Sequence, residues 1–337
     1  MNIKTLLKEL SSATGIGHIN SARETLGRII SPFAKIKNCG DSGLIASINS
    51  GKEKTILLDA HLDEVGFIVT NIDDAGFVTV APCGGIDLRQ LPTREVVIHG
   101  KNELPGVFIS TPPHLSKGDE KFTDISKIKI DTALGQKAKD IISVGDFVTY
   151  KGNFCELGEH RICAKSLDDR AGCAALLLLA EKLNSKELPV NVVMLFSHSE
   201  ELGLRGARTA AYGIEADEAI SIDVSFGDAP DVPAEKCGKL SDGVMIGFSP
   251  ILSRNITRTL EDIAVKENIP FQREVMGSTT GTNADVISIS KDGINCGLVS
   301  IPLRNMHTDC EIIDLRDIEA TVNLLESYIL KGGSFNA

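Results

Sequence analysis

Apolar residues recur along this chain with two different periods. Leu6, Leu7 and Leu10, then Leu26, Ile29 and Ile30, fall at helical spacing, which predicts helices in the first ~35 residues. Residues 55–59, Thr-Ile-Leu-Leu-Asp, form the short apolar run of a buried strand. From about Gly66 to Leu157 short alternating runs take over, at 76–80, 95–98 and 146–150. Glycine and proline clusters at 83–85 and 111–113 separate them, which predicts a small all-β unit. Beyond Ala164 the pattern predicts a helix after Asp169, strands at 190–196, 219–222 and near 298–301, and helices at 253–267 and 317–330. Strands alternating with helices predict an open α/β sheet. The expected architecture is therefore α/β: an open mixed-sheet domain built from residues 1–66 and 158–337, with a β-rich insertion at 67–157. A small β unit with exposed edges needs them covered, and pairing with another subunit is one way to do so.

Composition narrows the function classes. The chain has 337 residues, 42% of them hydrophobic, enough for a large core. Its formal net charge of −11 argues against a general nucleic-acid surface, which needs clustered Lys and Arg. Lys4, Lys8 and Glu9 interrupt the N-terminal apolar residues, so no signal peptide is expected there. The apolar run 171–180 is too short to span a bilayer, and no membrane association is expected. The eight cysteines form no C-x-x-C pair, which points to reduced thiols in a cytoplasmic protein.

Polar residues capable of chemistry cluster where predicted strands end. His61 and Asp63 follow the run 55–59, Glu200 and Glu201 follow 190–196, Asp223 ends 219–222, and His307 lies just past 298–301. Asp168 and Asp169 open a helix. Ligands bind beyond the carboxyl ends of strands in an open α/β sheet, so these segments deliver His, Asp and Glu to one rim. That donor mixture suits divalent metal ions. Two adjacent metals can polarise a carbonyl and activate a water, with a shared carboxylate holding the pair. Asp168 suits the bridge, leaving His61, Glu201, Asp223 and His307 to give each metal one histidine and one acid. Glu200, directly before a ligand, suits the general base. Asp63 can accept the free ring N–H of His61 and set its tautomer. The sequence has no phosphate loop with a following Lys-Ser/Thr and no G-x-S-x-G elbow.

Five stretches resemble the co-catalytic metallopeptidases of the tetrahedral (TET) aminopeptidase and glutamyl aminopeptidase group, some of which carry the name cellulase M. They are Asp59-Ala-His-Leu-Asp-Glu-Val-Gly66, Ala164-Lys-Ser-Leu-Asp-Asp-Arg-Ala-Gly172, Glu200-Glu-Leu-Gly-Leu-Arg-Gly-Ala207, Ser221-Ile-Asp-Val224 and Ile301-Pro-Leu-Arg-Asn-Met-His307. The resemblance implies an aminopeptidase acting on peptides with two zinc or cobalt ions. It implies His61 and Asp223 on one metal, Glu201 and His307 on the other, Asp168 between them and Glu200 as base. It further implies a PDZ-like dimerisation insertion and a homo-oligomer, a dodecamer with internal active sites. Asn283 stands where many members have Asp, Asn305 where Tyr is frequent and Ser199 where Gln is common, departures that bear on substrate preference. The name cellulase M raises a glycoside hydrolase as the alternative, but 4% aromatic residues and no Trp supply a sugar cleft poorly. A related metal-dependent deacylase shares the two-metal logic.

Overall fold

The short apolar runs become the middle of a sheet. In the computed structural model, which describes residues 1–49, 51–110, 114–115 and 125–335, the strands Asn191–Ser197, Thr55–His61, Glu218–Phe226 and Asn295–Arg304 lie side by side in that order and run parallel. The proline cluster at 111–113 lies outside the described residues. Gly43–Ile48 and Lys35–Asn38 extend one edge antiparallel. Glu311–Asp314, Arg161–Ala164 and Cys155–Leu157 extend the other, also antiparallel. Val244–Phe248 and Phe271–Val275 branch from Asn295–Arg304 and complete a mixed sheet of 11 strands.

Both faces of this sheet are covered, and so its central strands read as continuous apolar runs. Leu44, Ala46, Ile56, Leu58 and Met194 point to one side, into a core shared with the helices Ile3–Ser12, Ser21–Ile30, Leu167–Leu183, Arg254–Glu267 and Leu315–Lys331. Ile45, Leu57, Leu195, Ala219 and Leu298 point to the other, against Arg205–Tyr212 and Ala284–Ile287. The apolar run 171–180 is the middle of Leu167–Leu183, a helix buried almost all round. No helix among the described residues is long and apolar enough to cross a membrane.

The β-rich segment folds separately, as a small closed barrel. Its strands run in the spatial order Gly66–Ile72, Val78–Cys83, Lys129–Asp131, Glu103–Phe108, Glu95–His99 and Phe147–Tyr150. Its own core contains Val69, Val80, Val96, Ile98, Ile130 and Val148 around Phe67, whose ring meets Phe108 and Tyr150 edge-on at 5.2 and 5.7 Å. Three expectations change. The run at 76–80 starts late, at Val78, because Asp73 Oδ1 accepts the backbone N–H groups of Ala75 and Phe77 and holds Gly76 in a turn at φ +90°. Gly66 already belongs to the barrel, whereas Cys155–Leu157 pairs in the large sheet. And a closed barrel has no open edges, so edge pairing gives it no reason to meet another subunit.

Candidate metal centre

Parallel register brings the proposed ligands together. Thr55–His61 ends on His61, directly opposite Ser197 of the neighbouring strand, which leads into Glu200 and Glu201. Asp223 sits inside Glu218–Phe226, opposite Ser300. His307 follows Asn295–Arg304 at φ +63°. Asp168 and Asp169 precede the regular part of Leu167–Leu183 with non-helical dihedrals and a cis peptide between them. Asp168 is central: its Oδ1 lies 2.9 Å from His61 Nε2 and its Oδ2 lies 3.3 Å from His307 Nε2. His61 Nε2 is also 3.9 Å from Asp223 Oδ1, and His307 Nε2 is 3.2 Å from Glu201 Oε1. Donor atoms of His61, Asp168 and Glu201 all fall within 4.8 Å of one another.

This arrangement fits divalent cations. Tetrahedral bonds of about 2 Å to N and O donors place those donors roughly 3.3 Å apart, close to the separations observed. The charge balance fits as well. Burial pushes the Glu200 carboxyl up to about 8, with Glu201, Asp168 and Asp63 adding repulsion and His61 opposing it. Burial and neighbouring carboxylates likewise raise Glu201 and Asp223. The imidazoles go the other way: burial disfavours their charge, but hydrogen bonds to carboxylates outweigh it. His307, donating to Asp168 and Glu201, rises to about 11, and His61 also rises. Asp168 is held well below its ordinary range because its hydrogen bonds to His307 and His61 overcome burial. Four acids around two imidazoles form a concentration of negative charge that bound cations relieve.

Asp63 faces the His61 ring, but its hydrogen bonds go elsewhere. Its Oδ1 is 3.5 Å from His61 Nδ1, beyond good hydrogen-bond geometry, and that nitrogen has no hydrogen-bond partner. Its firm bonds are to the next loop: Oδ1 accepts the Glu200 N–H at 3.0 Å and Oδ2 the Glu201 N–H at 3.2 Å. One carboxylate therefore sets the Glu200–Glu201 backbone while facing the His61 ring.

Several supports escaped the sequence reading. Glu311, four residues after His307, accepts the His307 N–H at 2.7 Å and the Asp168 N–H at 3.1 Å, bracing two site segments at once. Glu64 accepts Lys165 Nζ at 2.5 Å, Ser166 Oγ at 2.7 Å and the Gly15 N–H at 3.1 Å. The β-rich insertion also reaches the centre: His307 Nδ1 donates to the Gly85 carbonyl at 2.5 Å, and Gln90 Nε2 donates to the His307 carbonyl at 3.2 Å. Arg94 pairs with Asp309 at 3.4 Å. The only sequence signal was the Cys83-Gly-Gly85 cluster, which marks a turn but not its neighbour. Asn283, one of the departures, is buried, with Nδ2 donating to Asp59 Oδ2 and Ser197 Oγ, both at 2.8 Å.

Known proteins resemble this chain along almost its whole length. The sequence profile of the M42 glutamyl aminopeptidase family matches residues 42–324. A lysyl aminopeptidase of Pyrococcus furiosus is 28% identical over 334 residues, covering 96% of each chain. The structure of an aminopeptidase from the archaeon Desulfurococcus kamchatkensis superposes with a TM-score of 0.92 at 30% identity, covering 98% of this chain and 95% of that one. The TET1 peptidase of Pyrococcus horikoshii, described as assembling into a tetrahedron or a large octahedral shell, superposes with a TM-score of 0.87 at 32% identity, covering 98% of this chain and 100% of its own.

Proposed function

This chain belongs to the M42 glutamyl aminopeptidase family and is a metal-dependent aminopeptidase, and from that premise we propose how its residues perform peptide hydrolysis. His61 and Asp223 would hold one divalent cation and Glu201 and His307 a second, with Asp168 contributing to both. Zinc and cobalt both suit these ligands. The observation that carries this reading is the split of Asp168, whose two carboxylate oxygens face two different imidazoles. When bound, the cation pair supplies a polarised scissile carbonyl and an acidified water. Glu200 stands beside the ligands without being one of them. It accepts the proton of the attacking water and returns it to the departing amine. Asp63 keeps Glu200 and Glu201 in place through their backbone N–H groups.

The substrates are peptides with a free N-terminus, and the products are single amino acids and shortened peptides. The mixed-sheet domain carries the chemistry, and the barrel insertion, from Gly66 to Tyr150, is a PDZ-like unit serving subunit assembly. The shells formed by the TET1 relatives support a homo-oligomer, which we take to be a dodecamer enclosing its active sites in the cytoplasm. The decisive assay uses metal-stripped protein reloaded with zinc or cobalt alone, on aminoacyl anilides and on N-acetylated counterparts. Cleavage confined to free amino termini is expected. Equal cleavage of acetylated substrates would replace the aminopeptidase reading with a deacylase or endopeptidase one.

A further inference from the structure

Tyr150 ends the barrel strand Phe147–Tyr150, and its ring belongs to the barrel core, edge-on to Phe67. The residue is only 2% exposed, yet its hydroxyl has no hydrogen-bond partner among the described residues. Buried tyrosines usually find one. Burial pushes the phenol up, with Asp309 and Glu311 adding to the shift and Arg94 opposing it, so the hydroxyl keeps its proton and has one O–H to donate.

Tyr150 lines a small cavity where the barrel meets the metal centre. Asp168, Glu201 and His307 line it too, together with Lys165 and Glu311, whereas His61 and Asp223 do not. Its volume for the centre of a water molecule is about 10 Å³, room for one water. The walls supply what a water needs. Lys165 Nζ gives two of its three protons to Glu64 at 2.5 Å and Ser166 Oγ at 3.1 Å, which leaves one. Glu311 Oε1 accepts the His307 N–H and Oε2 the Asp168 N–H, and each oxygen keeps a second lone pair. The Lys165 ammonium disfavours a cation in this space, and the carboxylates of Glu64 and Glu311 disfavour an anion. A water can accept from Tyr150 and Lys165 and donate to Glu311, within the two to four polar partners of a buried water.

We propose that this cavity binds one ordered water through which Tyr150 holds Glu311, and that Tyr150 is thereby a positioning residue for the cation at Glu201 and His307. Glu311 fixes the backbone of both His307 and Asp168, so a bond that steadies Glu311 steadies two donors of that cation together. The effect falls chiefly on one cation, because the cavity touches all three of its donors and neither His61 nor Asp223. This second half rests on the ligand set proposed above. The water site does not.

The test compares the full chain with Tyr150→Phe, which keeps the ring and removes only the hydroxyl. A high-resolution crystal structure of the zinc-loaded wild type should show one water within hydrogen-bond distance of Tyr150 Oη and a Glu311 carboxylate oxygen. Calorimetric titration of metal-free protein with zinc should find one of two binding steps weakened about tenfold in Tyr150→Phe and the other unchanged. Urea unfolding of the two metal-free proteins should give the same midpoint, which a merely structural role would not. No water at that place, an ion in its stead, two unchanged binding steps, two steps weakened alike, or a lower metal-free midpoint in the variant would each overturn the proposal. A wild type that binds no pair of zinc ions would defeat the ligand set proposed above, while the crystal structure still decides the water site.

Discussion

Glu200 lies among acids that already crowd one another, and its proposed task is to carry a proton, not to hold a metal. Glutamine keeps its shape and removes that capacity. Glu200→Gln is expected to lower kcat by ~10²–10⁴-fold and to leave metal content near wild type. Loss of bound metal in elemental analysis, or near-normal turnover, would remove Glu200 from the base role. Asp168 makes a different forecast because its two oxygens face two imidazoles, 2.9 and 3.3 Å away. Asp168→Asn withdraws the negative charge shared by both positions, so calorimetric titration should find both cations weakened. His61→Ala should weaken chiefly one. Two undiminished sites in the Asp168 variant would exclude the bridge.

At the scale of elements, the centre depends on the turn after Val78–Cys83. A Cβ added at Gly85 would stand 3.2 Å from His307 Nδ1, the nitrogen that donates to the Gly85 carbonyl. Gly85→Val should push this contact apart, lowering metal affinity and turnover by about 10–100-fold while circular dichroism stays native. Unchanged affinity would show that His307 needs no support from the insertion. The helix Leu315–Lys331 offers a pH test remote from the metals. Asp317 accepts the N–H groups of Ser241 and Gly243, both at 2.8 Å, yet burial pushes its carboxyl from the ordinary 3.8 to about 6. A raised acid favours the fold fully below its unfolded value, and that contribution is lost as pH climbs through the folded one. Between about pH 4 and 6 the wild type should lose up to about 3 kcal/mol relative to Asp317→Asn. Urea unfolding across that range measures it, and parallel curves for the two proteins would refute it.

For the whole molecule, the closed barrel and its separate core make the insertion removable in principle, while Gly85, Gln90 and Arg94 bind it to the His307 segment. Replacing the barrel, from Gly66 to Tyr150, with a short linker should therefore do two things. Light scattering on the eluting protein should show a large assembly for the intact chain and smaller species for the deletion. Metal titration should show the His307 side weakened in the deletion even where the other cation still binds. A monomeric intact chain, or an unchanged assembly after deletion, would detach the insertion from oligomerisation.

Much of the fold was legible because burial leaves a strong mark on sequence. The continuous apolar runs at 55–59 and 190–196 became central parallel strands, and the runs at 253–267 and 317–330 became Arg254–Glu267 and Leu315–Lys331. Elements that bury little stayed hidden: Arg205–Tyr212 buries only Gly206 and three alanines, too small to set a period. Phe271–Val275 is a branch strand with no fully buried residue. At the site, strand ends announced His61, Asp63, Glu200, Glu201, Asp223 and His307 as candidates, because a parallel sheet gathers what its strands carry to their ends, while a helix start announced Asp168. The sequence by itself thus marked the candidate donors and the rim on which they meet. Only tertiary structure decided that Asp168 divides its oxygens between two histidines, that Glu311 braces both, that Asp63 serves a backbone it does not adjoin, and that a glycine carbonyl of the barrel holds His307. Those contacts join residues up to 222 positions apart, and most run through backbone atoms, which every residue carries and no sequence pattern marks.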